Sequence, residues 1–129
     1  MDEPTWINPA AVTVIHSSQL AEHGGQDGVR DVGLLESALD RPKNQWAYSS
    51  ADLPQLAAAH AYGIARNHPF VDGNKRTAAV VFETFLIING AKLDATNDDL
   101  YTAVYSLAAG DWSEEQFAGW PREHVAGSA

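Results

Sequence analysis

The sequence predicts an all-α protein, a compact bundle of about six helices around a buried central helix. Apolar residues recur at helical spacing along much of the chain, and strand signals are scarce. The segment from about residue 75 to residue 89 is apolar on nearly every side, as expected of a helix at the centre of a bundle. The chain has 129 residues, which suits one domain, so we predict a single domain over residues 1–129.

The first two helices have clear starting signals. Asn8 followed by Pro9 is a typical N-cap with proline at the first helical position, and it predicts a helix that runs to about Glu22. Asp31 is expected to cap a second helix. That helix should end before Pro42, because proline disfavours helical geometry at the residue that precedes it.

Residues 42–50 lack a helical pattern and are expected to be irregular, with at most one short hairpin. Trp46 and Tyr48 within this segment are expected to be exposed. An alanine-rich helix should follow, from Leu53 to about Asn67. This helix would lead directly into the stretch of the chain where polar and charged residues are most concentrated.

A turn separates the alanine-rich helix from the central helix. Pro69 is expected to stop the first of these helices at Asn67 or His68. Gly73 and Asn74 suit a tight turn and the cap of the central helix. The later boundaries are predicted as a helix stop at Asn89 and Gly90, a cap at Thr96 or Asn97, and a last start at Ser113.

Composition and charge narrow the classes of function. The net charge of −9 argues against broad nucleic-acid binding, which needs clustered cations to displace counterions. The chain has no cysteine, which excludes disulfides and thiolate metal sites and fits a reducing cytosol. No signal peptide is visible, and the longest apolar run is too short to span a bilayer. We therefore expect a cytoplasmic protein that binds no nucleic acid directly and no membrane.

The stretch NHPFVDGNKRTAA, residues 67–79, collects polar and charged groups at the edge of the most hydrophobic segment. The first turn of a helix presents unpaired N–H groups and partial positive charge, which together bind anions. Gly73 would allow a ligand to approach the backbone closely. Lys75 and Arg76 oppose the helix dipole at this position unless an anion lies between them. The pattern therefore predicts a phosphate site, for which polyphosphate is the natural ligand.

Two further residues of this stretch suggest chemistry on the phosphate. Asp72 would repel phosphate unless a cation bridges the two, and Mg²⁺ prefers one or two carboxylates together with phosphate oxygens. His68 can accept a proton at neutral pH, which suggests attack of a hydroxyl on a nucleotide phosphate with His68 as the general base. Each residue alone has a plainer explanation, since a histidine before proline is commonly a loop residue and Asp-Gly-Asn is ordinary turn chemistry.

The whole string resembles the signature of a known family. Residues 68–76 resemble the motif of the Fic/Doc superfamily, whose core pattern is H-P-F-x-(D/E)-G-N-x-R. Residues 28–39, GVRDVGLLESAL, resemble the N-terminal part of Doc-like proteins, and the similarity covers essentially residues 10–120. Fic nucleotidyltransferases carry glycine where this chain has Lys75 and a second arginine where it has Ala79. Both differences are typical of the Doc, or death-on-curing, toxin branch.

Resemblance to the Doc branch implies an activity and a set of roles. Doc proteins transfer the terminal phosphate of ATP, with Mg²⁺, to a threonine hydroxyl of elongation factor Tu and so arrest translation. By this resemblance His68 would be the general base, Asp72 the magnesium ligand and Phe70 the anchor of the loop. The phosphate-binding residues that it implies are Gly73, Asn74, Lys75 and Arg76, together with Arg66 two positions before the histidine.

The resemblance also implies partners. A small Phd-like antitoxin, whose disordered tail folds on binding, is expected to dock near Trp46, Tyr48 or the C-terminal helix. Members of the superfamily hold their target by strand addition to a flap, which by position would be residues 42–50. Two other functions stay open, namely a Fic-type adenylyltransferase that transfers AMP to a protein hydroxyl, and a catalytically silent module that only binds a partner.

Overall fold

The computed structural model describes residues 1–126 and shows six helices in this part of the chain, which confirms the all-α bundle. The helices are α1 (Pro9–His23), α2 (Val32–Ser49), α3 (Leu53–Asn67), α4 (Asn74–Ile88), α5 (Asn97–Ala109) and α6 (Glu114–His124). Two short strands, β1 (Lys92–Leu93) and β2 (Val125–Ala126), pair antiparallel. Within residues 1–126 no helix has the length and apolar character needed to cross a bilayer.

Most helices begin at the residue that local chemistry predicts. A side-chain oxygen before the helix accepts a hydrogen bond from a backbone N–H three residues further on, which satisfies a donor that the first turn leaves free. These caps are Asn8 for α1, Asp31 for α2, Asp52 for α3, Thr96 for α5 and Ser113 for α6. Helix α4 differs, because its N-cap is Gly73, which has no side chain, and Asn74 is its first residue.

Two predictions are wrong, namely that the second helix ends before Pro42 and that residues 42–50 are irregular with at most one short hairpin. Helix α2 continues through Pro42 to Ser49, although an interior proline costs a helix about 3 kcal/mol or more. Packing offsets this cost, because Pro42 lies on the buried face of the helix, which consists of Leu35, Ala38, Leu39 and Pro42. Residues 42–50 therefore contain no strand to which a target segment could add.

The two aromatic residues near the end of α2 lie in different environments. Trp46, which was predicted to be exposed, is partly buried and packs against the hydrophobic core. Tyr48 is 85% exposed, as predicted. The difference follows from the helical conformation, because residues two positions apart on a helix point to nearly opposite sides.

A glycine brings α2 and α3 together. A Cβ atom built on Gly63 of α3 would lie 2.9 Å from the Cα atom of Ala38 in α2, which is closer than real Cβ contacts. The two helix backbones can therefore approach only because Gly63 has no side chain. This close contact lies at Ala38, four residues before Pro42, and it contributes to the packing of α2 on α3.

Helix α4 lies at the centre, as predicted, and shares that position with α3. Helix α4 packs against α1, α3 and α5, while α3 packs against α2, α4, α5 and α6. Phe82 and Leu86 of α4 are fully buried, whereas Ile87 and Ile88 in its last turn are exposed. The loop 68–73 joins these two central helices, so each end of the polar stretch is fixed by a helix of the core.

Candidate active site

The loop between α3 and α4 contains the polar stretch found in the sequence. Helix α3 ends at Asn67, and His68 takes a left-handed conformation with φ 50° and ψ 57°. Proline normally favours extended geometry at the residue before it, so Pro69 alone does not explain this conformation. A left-handed residue other than glycine is uncommon and persists where the surrounding structure holds it in place.

Phe70 and Asn74 fix the middle of this loop. Phe70, the predicted anchor, is buried with 1% of its surface exposed. Asn74 Oδ1 accepts a hydrogen bond from the Phe70 N–H, and Asn74 Nδ2 donates one to the Phe70 carbonyl, both at 2.9 Å. The side chain that the sequence suggested for phosphate is thus bonded to the loop itself. What Asn74 can offer a ligand is its backbone N–H in the first turn of α4.

His16 of α1 packs against this loop. Its ring is 1% exposed and stacks on Phe70, with ring centroids 3.8 Å apart and planes inclined by 7°. His16 Nε2 lies 2.7 Å from the Asp72 carbonyl oxygen. A carbonyl oxygen can only accept a hydrogen bond, so this nitrogen carries the proton. Sequence reasoning did not find His16, since no local pattern marks a histidine that acts through a loop far along the chain.

The segment 28–31 forms a second support of the loop. The Val71 N–H donates to the Gly28 carbonyl at 3.0 Å, and the Arg30 N–H donates to the Pro69 carbonyl at 2.7 Å. These bonds run in both directions between the two stretches, as in an antiparallel pair of strands. The loop is therefore held by the chain that precedes α2 as well as by α1.

The Arg30 side chain covers the end of α3. Its Nε atom donates to the His68 carbonyl and its Nη2 atom to the Asn67 carbonyl, each at 2.8 Å. A helix leaves its last carbonyls unpaired and carries partial negative charge there, so a guanidinium at this end is favourable. Arg30 thus holds the backbone of the predicted base. Sequence reasoning missed this role, although Arg30 lies within the stretch that resembles Doc-like proteins.

A cavity of about 300 Å³ opens at the start of α4. It brings together most of the residues that the sequence suggested for the site, and α5 contributes one residue that the sequence did not suggest. The lining consists of His68, Val71, Asp72, Gly73, Asn74, Lys75, Arg76 and Tyr105. The same cavity is therefore lined by His68, the predicted base, by Asp72, the predicted magnesium ligand, and by residues 73–76, which are predicted to bind phosphate.

Arg66 is not among the residues that line this cavity. Its guanidinium carbon lies 5.8 Å from the centre of the Tyr62 ring. Arg66 stands in the last turn of α3, whereas His68 lies beyond the end of that helix. The geometry therefore gives no support to a role of Arg66 in phosphate binding.

Asp72 presents an exposed carboxylate to the cavity, and the pKa of this carboxyl group is lowered. The largest cause is a hydrogen bond from the Gln26 N–H to Oδ2 at 3.2 Å, followed by one from the Gly73 N–H to Oδ1 at 2.8 Å. The charge of Arg76 contributes in the same direction. Gly25 leaves room for this arrangement, because a Cβ atom there would lie 2.9 Å from Asp72 Oδ2. Asp72 is thus ionised at neutral pH, with lone pairs left for a ligand.

Helix α4 presents an uncapped first turn to the cavity. No side-chain hydrogen bond covers its N-terminal end in the described chain, so the N–H groups of residues 74–76 can serve a ligand. Lys75 and Arg76 add two positive charges at the cavity. Lys75 Nζ lies 5.2 Å from the centre of the Tyr105 ring, within the range of a cation–π contact. The arrangement suits a ligand with several negative charges.

The fold is an all-α bundle whose central helix carries Lys75 and Arg76 in its first turn, directly after a His-Pro-Phe loop. These features define a class of helical proteins with an anion site at the start of the central helix. The sequence model of the Fic/DOC family matches residues 6–86, which is more than half of the chain. The chain belongs to the Fic/DOC family.

Two relatives place the chain in the Doc branch, which confirms the prediction from the motif. The chain is 49% identical over 78 residues to the protein named Toxin Doc of Mycolicibacterium smegmatis, and 33% identical over 88 residues to the protein named Protein kinase doc of Escherichia phage P1. The aligned regions cover 58% and 67% of this chain. They span 59% of the mycobacterial relative, less than two thirds of its length, and 70% of the phage relative.

Proposed function

We propose that this protein is a Doc-type toxin, a Mg-ATP-dependent kinase that phosphorylates a threonine hydroxyl of elongation factor Tu and so arrests translation. The observation that carries the proposal is the single cavity lined by His68, the ionised Asp72 and the cationic first turn of α4. Phosphoryl transfer to a hydroxyl needs a base, a carboxylate that binds the metal ion and a site that binds the phosphates. The names of the two relatives, a toxin and a protein kinase, support the same activity.

The phosphates of ATP would bind at the start of α4. The N–H groups of residues 74–76 and the helix dipole favour phosphate oxygens there. Arg76 can hold two oxygens through its planar guanidinium, whereas Lys75 supplies a compact charge. Gly73 has φ 76°, a left-handed conformation that glycine adopts without strain, and its backbone lines the cavity at the start of α4.

Asp72 is the residue that would hold magnesium. No group of three or more histidine, cysteine, aspartate or glutamate residues in the described part of the chain could hold a metal ion. A single ionised carboxylate beside a phosphate site nevertheless fits Mg²⁺, which binds through one or two carboxylates together with phosphate oxygens and waters. When bound, the ion neutralises charge on the phosphates. The hydrogen bonds from Gln26 and Gly73 orient the Asp72 carboxylate for this role.

His68 would act as the general base. The threonine hydroxyl gives its proton to the His68 ring while its oxygen forms a bond to the terminal phosphorus of ATP. The bond from that phosphorus to the bridging oxygen breaks, and ADP leaves with the electron pair. His68 suits this role because Arg30 holds its backbone while its side chain is exposed at the cavity.

Lys75 and Ala79 favour transfer of phosphate over transfer of AMP. Lys75 places an ammonium group at the cavity, where Fic nucleotidyltransferases have glycine. Ala79 lies fully buried in α4, at the position where those enzymes have a second arginine. An alanine cannot supply a positive charge to a terminal phosphate. Both features would change how the nucleotide docks and which phosphorus faces the hydroxyl.

Isotopic labelling distinguishes the two transfers. With Mg²⁺ and γ-labelled ATP, the purified protein should label elongation factor Tu, and α-labelled ATP should give no label. His68→Ala should lower the labelling by about 100-fold or more, because it removes the base, and it should leave the melting temperature unchanged because the side chain is exposed. Label from α-labelled ATP alone would identify an adenylyltransferase instead.

Calorimetric titration with Mg-ATP tests the enzyme assignment separately. The wild-type protein should bind, and Asp72→Asn should weaken the binding that depends on Mg²⁺, because the variant removes the negative charge and keeps only one of the two acceptor oxygens. A folded wild-type protein that binds no nucleotide would instead be a module that only docks a partner.

The toxin assignment includes an antitoxin as partner. We expect a small Phd-like protein with a disordered tail that folds on the surface near Tyr48, which is 85% exposed. Expression in the bacterial cytoplasm should arrest growth, and coexpression of the neighbouring reading frame should restore it. Normal growth in several bacterial hosts would contradict the toxin assignment, whereas the labelling experiment decides the enzyme assignment.

A further inference from the structure

We propose that His16 is a positioning residue of this site, which fixes the peptide between Asp72 and Gly73 so that the Asp72 carboxylate and the first N–H groups of α4 face one cavity. The inference rests on the proposed function, because it gives His16 a part in the binding of Mg²⁺ and nucleotide. His16 does not itself line the cavity and would touch neither ligand.

One imidazole ring contacts three residues of the loop. Its face stacks on Phe70, and its Nε2–H donates to the Asp72 carbonyl at 2.7 Å. A Cβ atom built on Gly73 would lie 3.8 Å from His16 Cδ2 and from His16 Nε2, so the ring edge also lies against the Gly73 backbone. The ring is 1% exposed, and water therefore has little access to replace the Nε2 donor if it is lost.

The direction of the Asp72 carbonyl determines the direction of two other groups. This carbonyl and the Gly73 N–H belong to one planar peptide, so a bond to His16 on the oxygen side also sets the N–H side. The Gly73 N–H donates to Asp72 Oδ1 at 2.8 Å and helps to orient the carboxylate. Gly73 is also the N-cap of α4, so the same peptide determines how the first turn of the helix faces the cavity.

A purely structural histidine would need only to fill its space, and matched variants separate the two roles. His16→Phe keeps an aromatic ring against Phe70 but has no N–H for the Asp72 carbonyl. His16→Gln keeps a donor nitrogen near the position of Nε2 but loses the ring. His16→Met is similar in length to His16→Gln and has no donor, so this pair remains informative if His16→Phe does not fold.

Calorimetric titration with Mg²⁺ and the non-hydrolysable analogue AMP-PNP gives the first readout. The variants without a donor, His16→Phe and His16→Met, should bind about tenfold more weakly than the wild type, as for other residues that orient a metal ligand. His16→Gln should bind within about threefold of the wild type, because it retains the hydrogen bond. Equal affinities of His16→Gln and His16→Met, compared as folded proteins, would overturn the inference.

Hydrogen exchange in the free protein gives a second readout that needs no ligand. Residues 70–76 should exchange faster in His16→Met than in His16→Gln, while the two variants melt at similar temperatures. If the wild type binds no nucleotide, the proposed function fails, and exchange alone then decides on His16. Equal exchange of residues 70–76 in His16→Gln and His16→Met would show that the ring only fills space.

Discussion

Asn74 binds the backbone of Phe70 through both ends of its side-chain amide. The Oδ1 atom accepts from the Phe70 N–H and the Nδ2 atom donates to the Phe70 carbonyl, each at 2.9 Å, and both residues are buried. The first residue of α4 thereby closes the loop that carries the predicted base and the predicted metal ligand. Asn74 supports the shape of the site with its side chain and can contact a phosphate through its backbone.

Replacement of Asn74 should therefore weaken the fold as well as the site. Asn74→Ala leaves the Phe70 N–H and carbonyl without partners in a buried place, and we expect a loss of about 1–3 kcal/mol in the free energy of unfolding. Urea denaturation measures this loss. Asn97→Ala is the matched control, because Asn97 is the first residue of α5 and is exposed, so its effect should stay within about 0.5 kcal/mol.

Gly25 should matter for activity because it lies against the Asp72 carboxylate. A Cβ atom in Gly25→Ala would lie 2.9 Å from Asp72 Oδ2, so the carboxylate would have to move, and we expect about a tenfold loss of phosphate transfer. Gly24→Ala is the control, since Gly24 also has positive φ but has nothing within 4 Å of a built Cβ. Equal transfer rates of the two variants in the labelling assay would contradict this prediction.

The buried His60 should make the stability of the protein depend on pH. Burial lowers the pKa of His60 to about 4, whereas the pKa of histidine in an unfolded chain is about 6.5. The unfolded chain therefore binds a proton at His60 more readily than the folded protein does. The stability that the neutral His60 contributes is complete above pH 6.5 and is lost as the pH falls towards 4. Between pH 7 and pH 5 this amounts to about 2 kcal/mol of unfolding free energy.

His60→Phe removes the titrating group and keeps an aromatic ring beside Phe85, whose ring centroid lies 4.3 Å from that of His60. Urea denaturation at both pH values should show a smaller loss of stability for the variant than for the wild type. The same loss in both proteins would mean that other groups cause the pH dependence.

Two glycines in helices should respond in opposite directions to alanine. Gly63→Ala would place a Cβ atom 2.9 Å from the Ala38 backbone, and the overpacking should cost about 1–3 kcal/mol. Gly119→Ala in α6 meets no atom within 4 Å and should stabilise the protein by up to about 1 kcal/mol through helix propensity. Thermal melting of the two variants compares them directly, and a melting temperature of Gly63→Ala equal to or above that of the wild type would contradict the assignment of Gly63 as a packing residue.

The helix starts could be predicted because each depends on residues close together in the sequence. Asn8, Asp31 and Thr96 bond a backbone N–H three positions away, so the cap and its partner appear within one short window. The positions of His68 and Asp72 at one cavity could be anticipated for the same reason, since one short loop carries both.

The features that the sequence did not reveal depend on distant contacts. Helix α2 continues through Pro42 because Pro42 lies on the buried face of the helix, which local propensity cannot show. His16 reaches the loop from another helix, and its importance is visible only in three dimensions. Arg66 is suggested for phosphate binding by the resemblance alone, and it is not among the residues that line the cavity.

The antiparallel contact between residues 28–31 and the loop has a consequence for protein engineering. The motif 68–76 does not keep its conformation by itself, because the Pro69 carbonyl and the Val71 N–H are hydrogen-bonded to that earlier segment. If the motif were grafted between two helices of another scaffold, both groups would lose their partners. A functional transplant would therefore have to carry residues 28–31 along with the motif.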